Sequence, residues 1–247
     1  MARAAVRRGL TGPLPWRVAR LAGTRQETAT AKTLVLDVDG WPGHRAGQHV
    51  DLRLTAEDGY TAQRSYSIAS APDGDIVELT VQLLPDGEVS PFLVCDLAIG
   101  DPVELRGPVG GWFVWEPPDP RPVLLVAGGA GVVPLMAMLR ARRAAGSAAS
   151  FRLLYSVRTP EDVLYGAELD APDDGVEVDL LFTRTAPASS PRPPGRLSAD
   201  DLDPADPSEQ VFVCGPTAFV EAAARLLVDH GYDEHAVRTE RFGPSGS

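Results

Sequence analysis

Hydrophobic and polar residues alternate with a period of two along the first part of the chain. The alternation runs through residues 34–38, 49–54, 64–70 and 77–83, and it places successive side chains on opposite faces of a strand. Turn-forming residues such as Asp-Gly and Pro-Asp-Gly separate these stretches. Short alternating strands at this spacing predict a small antiparallel β-barrel, which we expect to contain six strands.

A single helix is predicted within the barrel, from about Ser90 to Leu97. Ser90 is a candidate N-cap, and Pro91 suits the first helical position. The preceding loop would then present a hydroxyl and free backbone donors at the positive end of a helix, an arrangement that binds phosphate. An ordinary capped helix without a ligand is the alternative.

The pattern changes after the proline-rich stretch 116–120. Residues 123–127 form a continuous apolar run, typical of a parallel strand buried on both faces. Strands are then predicted at 151–155, 176–183, 210–214 and 236–242, with helices ending at Arg143, starting at Thr159 and spanning 217–230. This alternation indicates an α/β doubly wound parallel sheet. We therefore expect a flexible arm (1–13), a barrel domain (14–116), a linker (117–121) and a parallel-sheet domain (122–247).

Composition and charge narrow the choice of partners. The net charge of −11 argues against nucleic acid and anionic membranes as partners, and no apolar run is long enough to insert into a bilayer. Cys95 and Cys214 are the only cysteines, so a zinc site or iron–sulfur cluster held by four thiolates is excluded. Both lie in apolar runs, and we expect buried free thiols in a monomeric cytoplasmic protein without a metal.

The stretch Arg64-Ser65-Tyr66-Ser67 combines groups that suit a flat anionic ligand. Arg64 offers a planar fork for a pyrophosphate, Tyr66 offers a ring face, and Ser67 offers a hydroxyl. Taken alone, such a stretch is more typical of the half-buried edge of a sheet.

A glycine loop follows the apolar strand at 123–127. Gly129, Ala130 and Gly131 lead into a helix, as in sites that bind a dinucleotide pyrophosphate, but Pro134 occupies the position of the third glycine. A tight turn without a ligand is the alternative.

The ends of the later strands indicate the type of nucleotide. An NAD site places an acid after the second strand, whereas this chain has Ser156 and Arg158 there and Arg184 after the next strand. We therefore favour NADP(H), with NAD(H) possible. Cys214, Gly215 and Pro216 follow another strand, so Cys214 is a candidate neighbour of the nicotinamide; a buried structural cysteine is the alternative.

Together and in this order, the motifs resemble the ferredoxin-NADP(+) reductase-like flavoprotein family, over residues 16–247. The motifs are Arg64-x-Tyr66-Ser67, Gly87-x-x-Ser90, Gly107-Pro108-x-Gly110, Gly129-x-Gly131-x-x-Pro134, Cys214-Gly215-Pro216 and Glu240-Arg241-Phe242-Gly243-Pro244. The resemblance implies an FAD-binding barrel followed by an NAD(P)-binding domain.

The resemblance also implies roles for particular residues. Arg64 would contact the FAD pyrophosphate, Tyr66 would stack on the flavin or ribityl side, and Ser67 would lie near the flavin N5. The catalytic set would comprise Ser67, Cys214, Glu240 and Phe242. Further FAD contacts would come from Ser65, from the backbone of Thr80, Val81 and Gln82, and from the loop Gly87, Glu88, Val89 and Ser90.

The implied activity is hydride transfer from NADPH to FAD. The chain lacks the cysteines of a fused iron–sulfur domain, so the expected electron acceptor is separate, foremost a ferredoxin or other redox protein. Alternatives are a reductase of free flavin, quinone or ferric chelates, and a flavin-bearing electron-transfer subunit of a larger oxidoreductase. A candidate basic docking patch comprises Arg3, Arg7, Arg8, Arg17, Arg20 and Arg25.

Overall fold

Six antiparallel strands form the first sheet of this computed structural model, which describes residues 14–56, 58–72 and 74–243. The strand order is β4-β3-β6-β1-β2-β5, and a bridge between Ile68 and Leu79 joins the two edges. The predicted six-stranded antiparallel architecture is confirmed, as a barrel that is not fully closed. The strands are β1 (Trp16–Thr28), β2 (Ala31–Val38), β3 (His49–Thr55), β4 (Thr61–Ser67), β5 (Ile76–Gln82) and β6 (Pro102–Val109).

The apolar residues of the period-two pattern form the core of the barrel. Leu34 and Leu36 of β2 are fully buried, as are Val77 and Leu79 of β5. These alternate side chains fill the interior, because every second residue of each strand faces the same way.

The helix predicted from about Ser90 to Leu97 is present, but its predicted cap is wrong. The backbone is helical from Ser90 to Asp96, and the part Phe92–Asp96 is a π-helix without a side-chain cap. The Ser90 hydroxyl instead accepts the Leu84 backbone N–H at 3.0 Å, so it closes the preceding loop. So short a helix carries little dipole, and phosphate binding there would depend on the loop backbone.

Five parallel strands form the second sheet, in the order β11-β10-β7-β8-β9. The chain leaves β7 in one direction for β8 and β9 and returns to its other side for β10 and β11, which confirms the doubly wound prediction. The elements are β7 (Val123–Gly128), α1 (Val132–Ala145), β8 (Phe151–Val157), α2 (Gly166–Leu169), β9 (Val176–Phe182), β10 (Gln210–Pro216), α3 (Thr217–Asp229) and β11 (Val237–Phe242).

The two long helices pack on opposite faces of this sheet. Leu135 and Met138 of α1 share a core with Phe212, whereas Val220 and Leu227 of α3 belong to a separate core on the other face. None of the helices in the described part of the chain has the length and apolar character needed to cross a membrane.

The helix predicted to start at Thr159 reduces to one 3₁₀ turn, Pro160–Asp162, and the four-residue α2. Thr159 forms a capping box with Asp162 at the start of this turn. The helix stops because the Leu164 N–H bonds the Tyr155 hydroxyl and the Tyr165 N–H bonds Glu27. These two N–H groups bond side chains elsewhere in the protein in place of the backbone carbonyls that would continue a helix.

The two cysteines differ in exposure. Both are free, but Cys214 is buried and Cys95 is exposed. The expectation of two buried thiols is therefore wrong for Cys95, because the π-helix turns its neighbours Leu93 and Val94 inward instead.

Candidate active site

The barrel half of the site is built around Arg64 on β4. Its guanidinium Nη2 lies 2.8 Å from Oε2 of Glu88, and the Tyr60 hydroxyl donates to the other oxygen of Glu88 at 3.0 Å. The structure thus brings Arg64 together with the loop predicted to hold phosphates. It also shows that Arg64 already binds an anionic group of this loop.

The loop itself retains donors for a phosphate. The Gly87 N–H bonds the Leu84 carbonyl, but the N–H groups of Glu88 and Val89 find no acceptor within the described residues. With the Arg64 fork beside them, these donors fit an FAD pyrophosphate.

Tyr66 and Ser67 continue from Arg64 towards the other domain. Tyr66 is half-buried, and burial raises the pKa of its hydroxyl to about 12, so it presents a neutral ring at physiological pH. This suits a side chain expected to stack against a flavin.

Two predicted FAD residues have side chains committed elsewhere. Ser65 lies on the outer face and donates to Asp51 at 2.7 Å. The Thr80 hydroxyl contacts the hydroxyls of Thr33 and Tyr165. Only their backbone groups, like those of Val81 and Gln82 on β5, remain candidates for contacting a cofactor.

The second half of the site lies between the carboxyl ends of β7 and β10, where the order in which the chain adds strands to the sheet reverses. A Cβ on Gly131 would lie 2.0 Å from the Cys214 carbonyl oxygen, so this glycine permits two backbones to meet. Gly129 has φ +53°, and a Cβ there would meet nothing within 4 Å. It therefore leaves open space above the loop, as a pyrophosphate cradle requires.

The 3₁₀ turn Gly129–Gly131 runs directly into the first turn of α1, and the N–H of Val132, the first residue of α1, bonds the Gly129 carbonyl. The backbone N–H groups without a helical partner are therefore those of the 3₁₀ turn itself, and they remain for a ligand in that cradle. Pro134 is accommodated because it lies in this first turn, where its missing N–H is harmless. Ala130 is half-buried between the two glycines.

A line of side chains joins the two halves across the domain boundary. Ser67 on β4 is the cross-strand partner of His49 on β3. His49 Nδ1 lies 3.8 Å from Oε1 of Glu240 on β11, and Glu240 is in register with Cys214 on β10. The predicted catalytic residues Ser67, Glu240 and Cys214 therefore converge on one cleft.

Burial shifts the pKa values of the titratable residues in this line. It raises the pKa of Glu240 to about 7 and lowers that of His49, an effect opposed by Asp51. It also raises the pKa of the Cys214 thiol well above its usual range, with help from Glu240. Cys214 thus stays a neutral thiol, and burial favours the neutral forms of Glu240 and His49.

The remaining predicted residues lie at the rim of the cleft. Phe242 is 39 % exposed and in register with Pro216, so its ring is free to cover a bound ligand. Gly215 packs against Phe219, whose ring would clash with a Cβ.

Two arginines lie side by side at the ends of β8 and β9. The Arg184 N–H bonds the Arg158 carbonyl at 2.9 Å, and both side chains are exposed. Neither has an ion-pair partner within the described residues. Ser156, near the end of β8, is buried. This arrangement offers two uncompensated charges to an anionic group.

In the candidate basic docking patch, Arg20 is exposed, and its side chain bonds the Gly100 carbonyl and no carboxylate of the described residues. Arg3, Arg7 and Arg8 lie outside the described residues. Arg25 pairs with Glu27 and Glu78, and one terminal nitrogen of Arg17 is buried without a partner.

Two residues of this region were missed from the sequence. His49 was predicted only as part of a strand, although counting outward from the Asp58-Gly59 turn pairs it with Ser67. Arg196 is exposed, and its backbone lies next to the end of β9 because the Gly195 N–H bonds the Phe182 carbonyl. No local pattern marks that long-range bond.

Comparison with known proteins identifies both domains of the chain. A family model described as an oxidoreductase FAD-binding domain matches residues 26–114, and one described as an oxidoreductase NAD-binding domain matches residues 125–225. The cytochrome P450 reductase from Amycolatopsis superposes with a TM-score of 0.81 at 26 % identity, over 96 % of this chain and 72 % of that one.

Two curated relatives are similar along most of this chain. The glycine betaine monooxygenase reductase subunit of Chromohalobacter salexigens is 32 % identical over 81 % of this chain and 56 % of its own length. This chain thus spans little more than half of that relative. Ferredoxin–NADP reductase B of Sorangium cellulosum is 36 % identical over 80 % of this chain and 84 % of its own. The chain belongs to the ferredoxin-NADP reductase-like family of FAD- and NAD(P)-binding oxidoreductases.

Proposed function

We propose that this protein accepts a hydride from NADPH and passes electrons to a separate acceptor, foremost a ferredoxin or another redox protein. Bound FAD supplies the conversion of a hydride into single electrons. The observation that carries the proposal is the line Ser67, His49, Glu240 and Cys214, which brings the edges of both nucleotide-binding domains to one cleft.

On the barrel side, the chain's role is to bind and orient the flavin. Arg64 and the free N–H groups of Glu88 and Val89 hold the pyrophosphate, with Gly87 and Ser90 shaping the loop. Tyr66 provides the stacking face, Ser67 lies at the reacting edge, and the β5 backbone at Thr80, Val81 and Gln82 holds the far edge.

On the other side, the parallel sheet holds the pyridine nucleotide. Gly129, Ala130, Gly131 and the α1 N-terminus bind its pyrophosphate. Cys214 borders the nicotinamide as a neutral thiol, Glu240 borders it with a pKa of about 7, and Phe242 covers it. Orientation of this kind speeds hydride transfer without a general base. The reacting atoms are already held in contact, so the entropic cost of bringing them together does not add to the barrier.

Arg158 and Arg184, with Arg196 nearby, support NADPH over NADH. A 2′-phosphate brings negative charge that needs cations, whereas a free ribose hydroxyl is usually met by a carboxylate. Asp and Glu do not occur in the segment 156–160.

The names of relatives support a protein acceptor. One is a ferredoxin–NADP reductase, and another is the reductase subunit of a monooxygenase. The second name also favours a second candidate, an electron-transfer subunit that works only when docked to a larger oxidoreductase. The free thiols Cys95 and Cys214 suit a reducing cytoplasm, and we retain a monomer as our prediction.

An acceptor panel distinguishes these candidates. The protein is reduced anaerobically with NADPH and mixed in a stopped-flow instrument with a [2Fe–2S] ferredoxin, menadione, free FMN or ferric citrate. We expect the fastest reoxidation with ferredoxin. Fast transfer to the small acceptors alone would identify a flavin, quinone or ferric-chelate reductase. No transfer to any of them would support the docked subunit.

A further inference from the structure

Tyr165 ties the parallel-sheet domain to the barrel. It lies between β8 and α2, and its N–H donates to Oε2 of Glu27 on β1 at 3.2 Å. Its hydroxyl bonds the hydroxyl of Thr80 on β5. The residue therefore reaches two barrel strands, one through its backbone and one through its side chain.

The barrel residues complete a closed ring. Thr33 on β2 donates to Oε1 of Glu27 at 2.7 Å, and its oxygen lies 2.7 Å from that of Thr80. Tyr165, Thr80 and Thr33 are at least nine-tenths buried. We name these four residues, Glu27, Thr33, Thr80 and Tyr165, the interdomain ring. Buried networks whose members are all satisfied rigidify the elements they join.

Arg140 on α1 adds a second connection beside the ring. Its guanidinium lies 5.1 Å from the centre of the Tyr165 ring. One nitrogen donates to the Ala69 carbonyl and to Glu78 of the barrel, both at 2.9 Å, and the others bond Glu168 of α2. The contact at Ala69 is two residues beyond Ser67.

The backbone at Tyr165 is adapted to this contact. Its φ is +59°, and it is the non-glycine residue with positive φ in the described part of the chain. Side-chain-bearing residues rarely adopt this conformation, which persists where surrounding contacts fix it. Here it lets the hydroxyl and the N–H of one residue face the barrel together.

The ring connects to both cofactor sites along the chain. Tyr165 ends the segment that begins with Arg158 after β8, and Thr80 directly precedes Val81 and Gln82. We propose that Tyr165 is a positioning residue that fixes the angle between the two domains, so that the nicotinamide meets the flavin at a productive distance. The proposal rests on the hydride transfer proposed above.

The test compares Tyr165→Phe with a matched control, Tyr232→Phe. The Tyr232 hydroxyl donates to Glu209 at 2.9 Å, and Tyr232 belongs to the core on the α3 face of the parallel sheet. We expect Tyr165→Phe to slow flavin reduction at saturating NADPH by about tenfold, because fewer complexes adopt the reactive geometry. The dissociation constants of FAD and NADP⁺ are expected to stay within about twofold, since neither binding surface changes. The control is expected to keep the wild-type rate.

A second readout uses the cofactor-free protein. Hydrogen–deuterium exchange in residues 163–169 is expected to accelerate about tenfold in Tyr165→Phe and not in Tyr232→Phe, because loss of the ring eases local opening. Thr80→Val removes the partner hydroxyl, and the double variant is expected to be no slower than Tyr165→Phe alone.

The possible outcomes separate this inference from the proposed function. A Tyr165→Phe protein reduced as fast as the control would overturn the positioning role. A slow rate accompanied by equal losses of FAD and NADP⁺ affinity would do the same, because it would indicate general damage. If NADPH fails to reduce even the wild-type protein, the proposed function fails, and unchanged exchange at 163–169 would then reject the interdomain ring independently.

Discussion

Burial makes Glu240 the most informative titrating residue of the cleft. Its pKa rises from 4.5 to about 7, so the folded protein holds a proton that the unfolded chain releases. The stability from this group is complete below about pH 4.5 and is lost as pH rises to about 7, because the unfolded state then binds fewer protons. The loss amounts to about 3 kcal/mol in total.

Glu240→Gln should therefore flatten the pH dependence of stability. We expect the variant to unfold at a higher temperature than the wild type at pH 8, and the advantage to shrink towards pH 5. Differential scanning fluorimetry of the cofactor-free protein at several pH values measures this. Parallel curves for the two proteins would show that Glu240 titrates normally. The lowered pKa of His49 has the opposite effect, because it makes the folded protein less stable as the pH falls. His49 is present in both proteins, so its effect cancels in the comparison.

Glu88 is expected to compete with FAD for Arg64. The carboxylate contacts the guanidinium at 2.8 Å, and hydrogen bonds from Tyr60 and Arg64 keep its pKa below the usual range. It is therefore ionised at neutral pH and must yield its place to the pyrophosphate.

Glu88→Gln is expected to tighten FAD binding by about threefold, a modest factor because the pair is exposed. Quenching of flavin fluorescence on titration of the cofactor-free protein gives the dissociation constant. Glu104→Gln is the matched control, since Glu104 pairs with Arg53 at the same 2.8 Å on the outer face of β3 and β6. Weaker FAD binding in Glu88→Gln would mean that the carboxylate supports the cofactor.

At the scale of elements, Gly129 and Gly131 of one loop have different structural roles. Gly131 allows the start of α1 to touch the end of β10, whereas Gly129 allows a left-handed turn with open space above it. Only the first is needed for packing. Both glycines are part of the same sequence motif, so the sequence alone cannot separate these duties.

Gly131→Ala and Gly129→Ala test this division. We expect Gly131→Ala to lower the free energy of unfolding by more than about 3 kcal/mol, because its Cβ would overlap a backbone carbonyl. Gly129→Ala should cost about 1 kcal/mol, the penalty of a left-handed alanine, yet weaken nucleotide binding. Urea denaturation measures both. Equal losses of stability in the two variants would refute the distinction.

The carboxyl ends of β8 and β9 are expected to determine the choice of coenzyme. Replacing Arg158 or Arg184 with Ala should raise the KM for NADPH about tenfold and leave that for NADH unchanged, because a charged contact to phosphate is lost. Arg225→Ala, an exposed position on α3, is the control for net charge. Steady-state kinetics with both coenzymes give the answer. Unchanged NADPH kinetics in both variants would exclude these arginines from the site.

The elements that follow local rules were predictable, and those set by distant contacts were not. Period-two alternation gave the barrel strands, and the apolar run gave β7, because burial on one or both faces dictates those patterns. The helix after Thr159 was predicted too long, and the N-cap predicted at Ser90 does not form. Ser90 closes its own loop, and the Tyr165 segment is held by barrel side chains. Both effects depend on residues that are not local.

At the scale of the whole molecule, the resemblance found the two halves of the site but not what joins them. Arg64, Ser67, Cys214 and Glu240 could be located by motif. His49 and Tyr165 could not, because their importance arises only when the barrel and the parallel sheet meet. The domain contact is therefore the part of this protein that a single sequence reveals least.

The central claim is that the two domains together transfer hydride from NADPH to bound FAD. Its most direct test is an anaerobic titration of the purified, FAD-loaded protein with NADPH and with NADH, followed by visible absorption. We predict that NADPH bleaches the flavin stoichiometrically and that NADH acts more slowly. A protein that binds no flavin, or whose flavin stays oxidised with both coenzymes, would contradict this account.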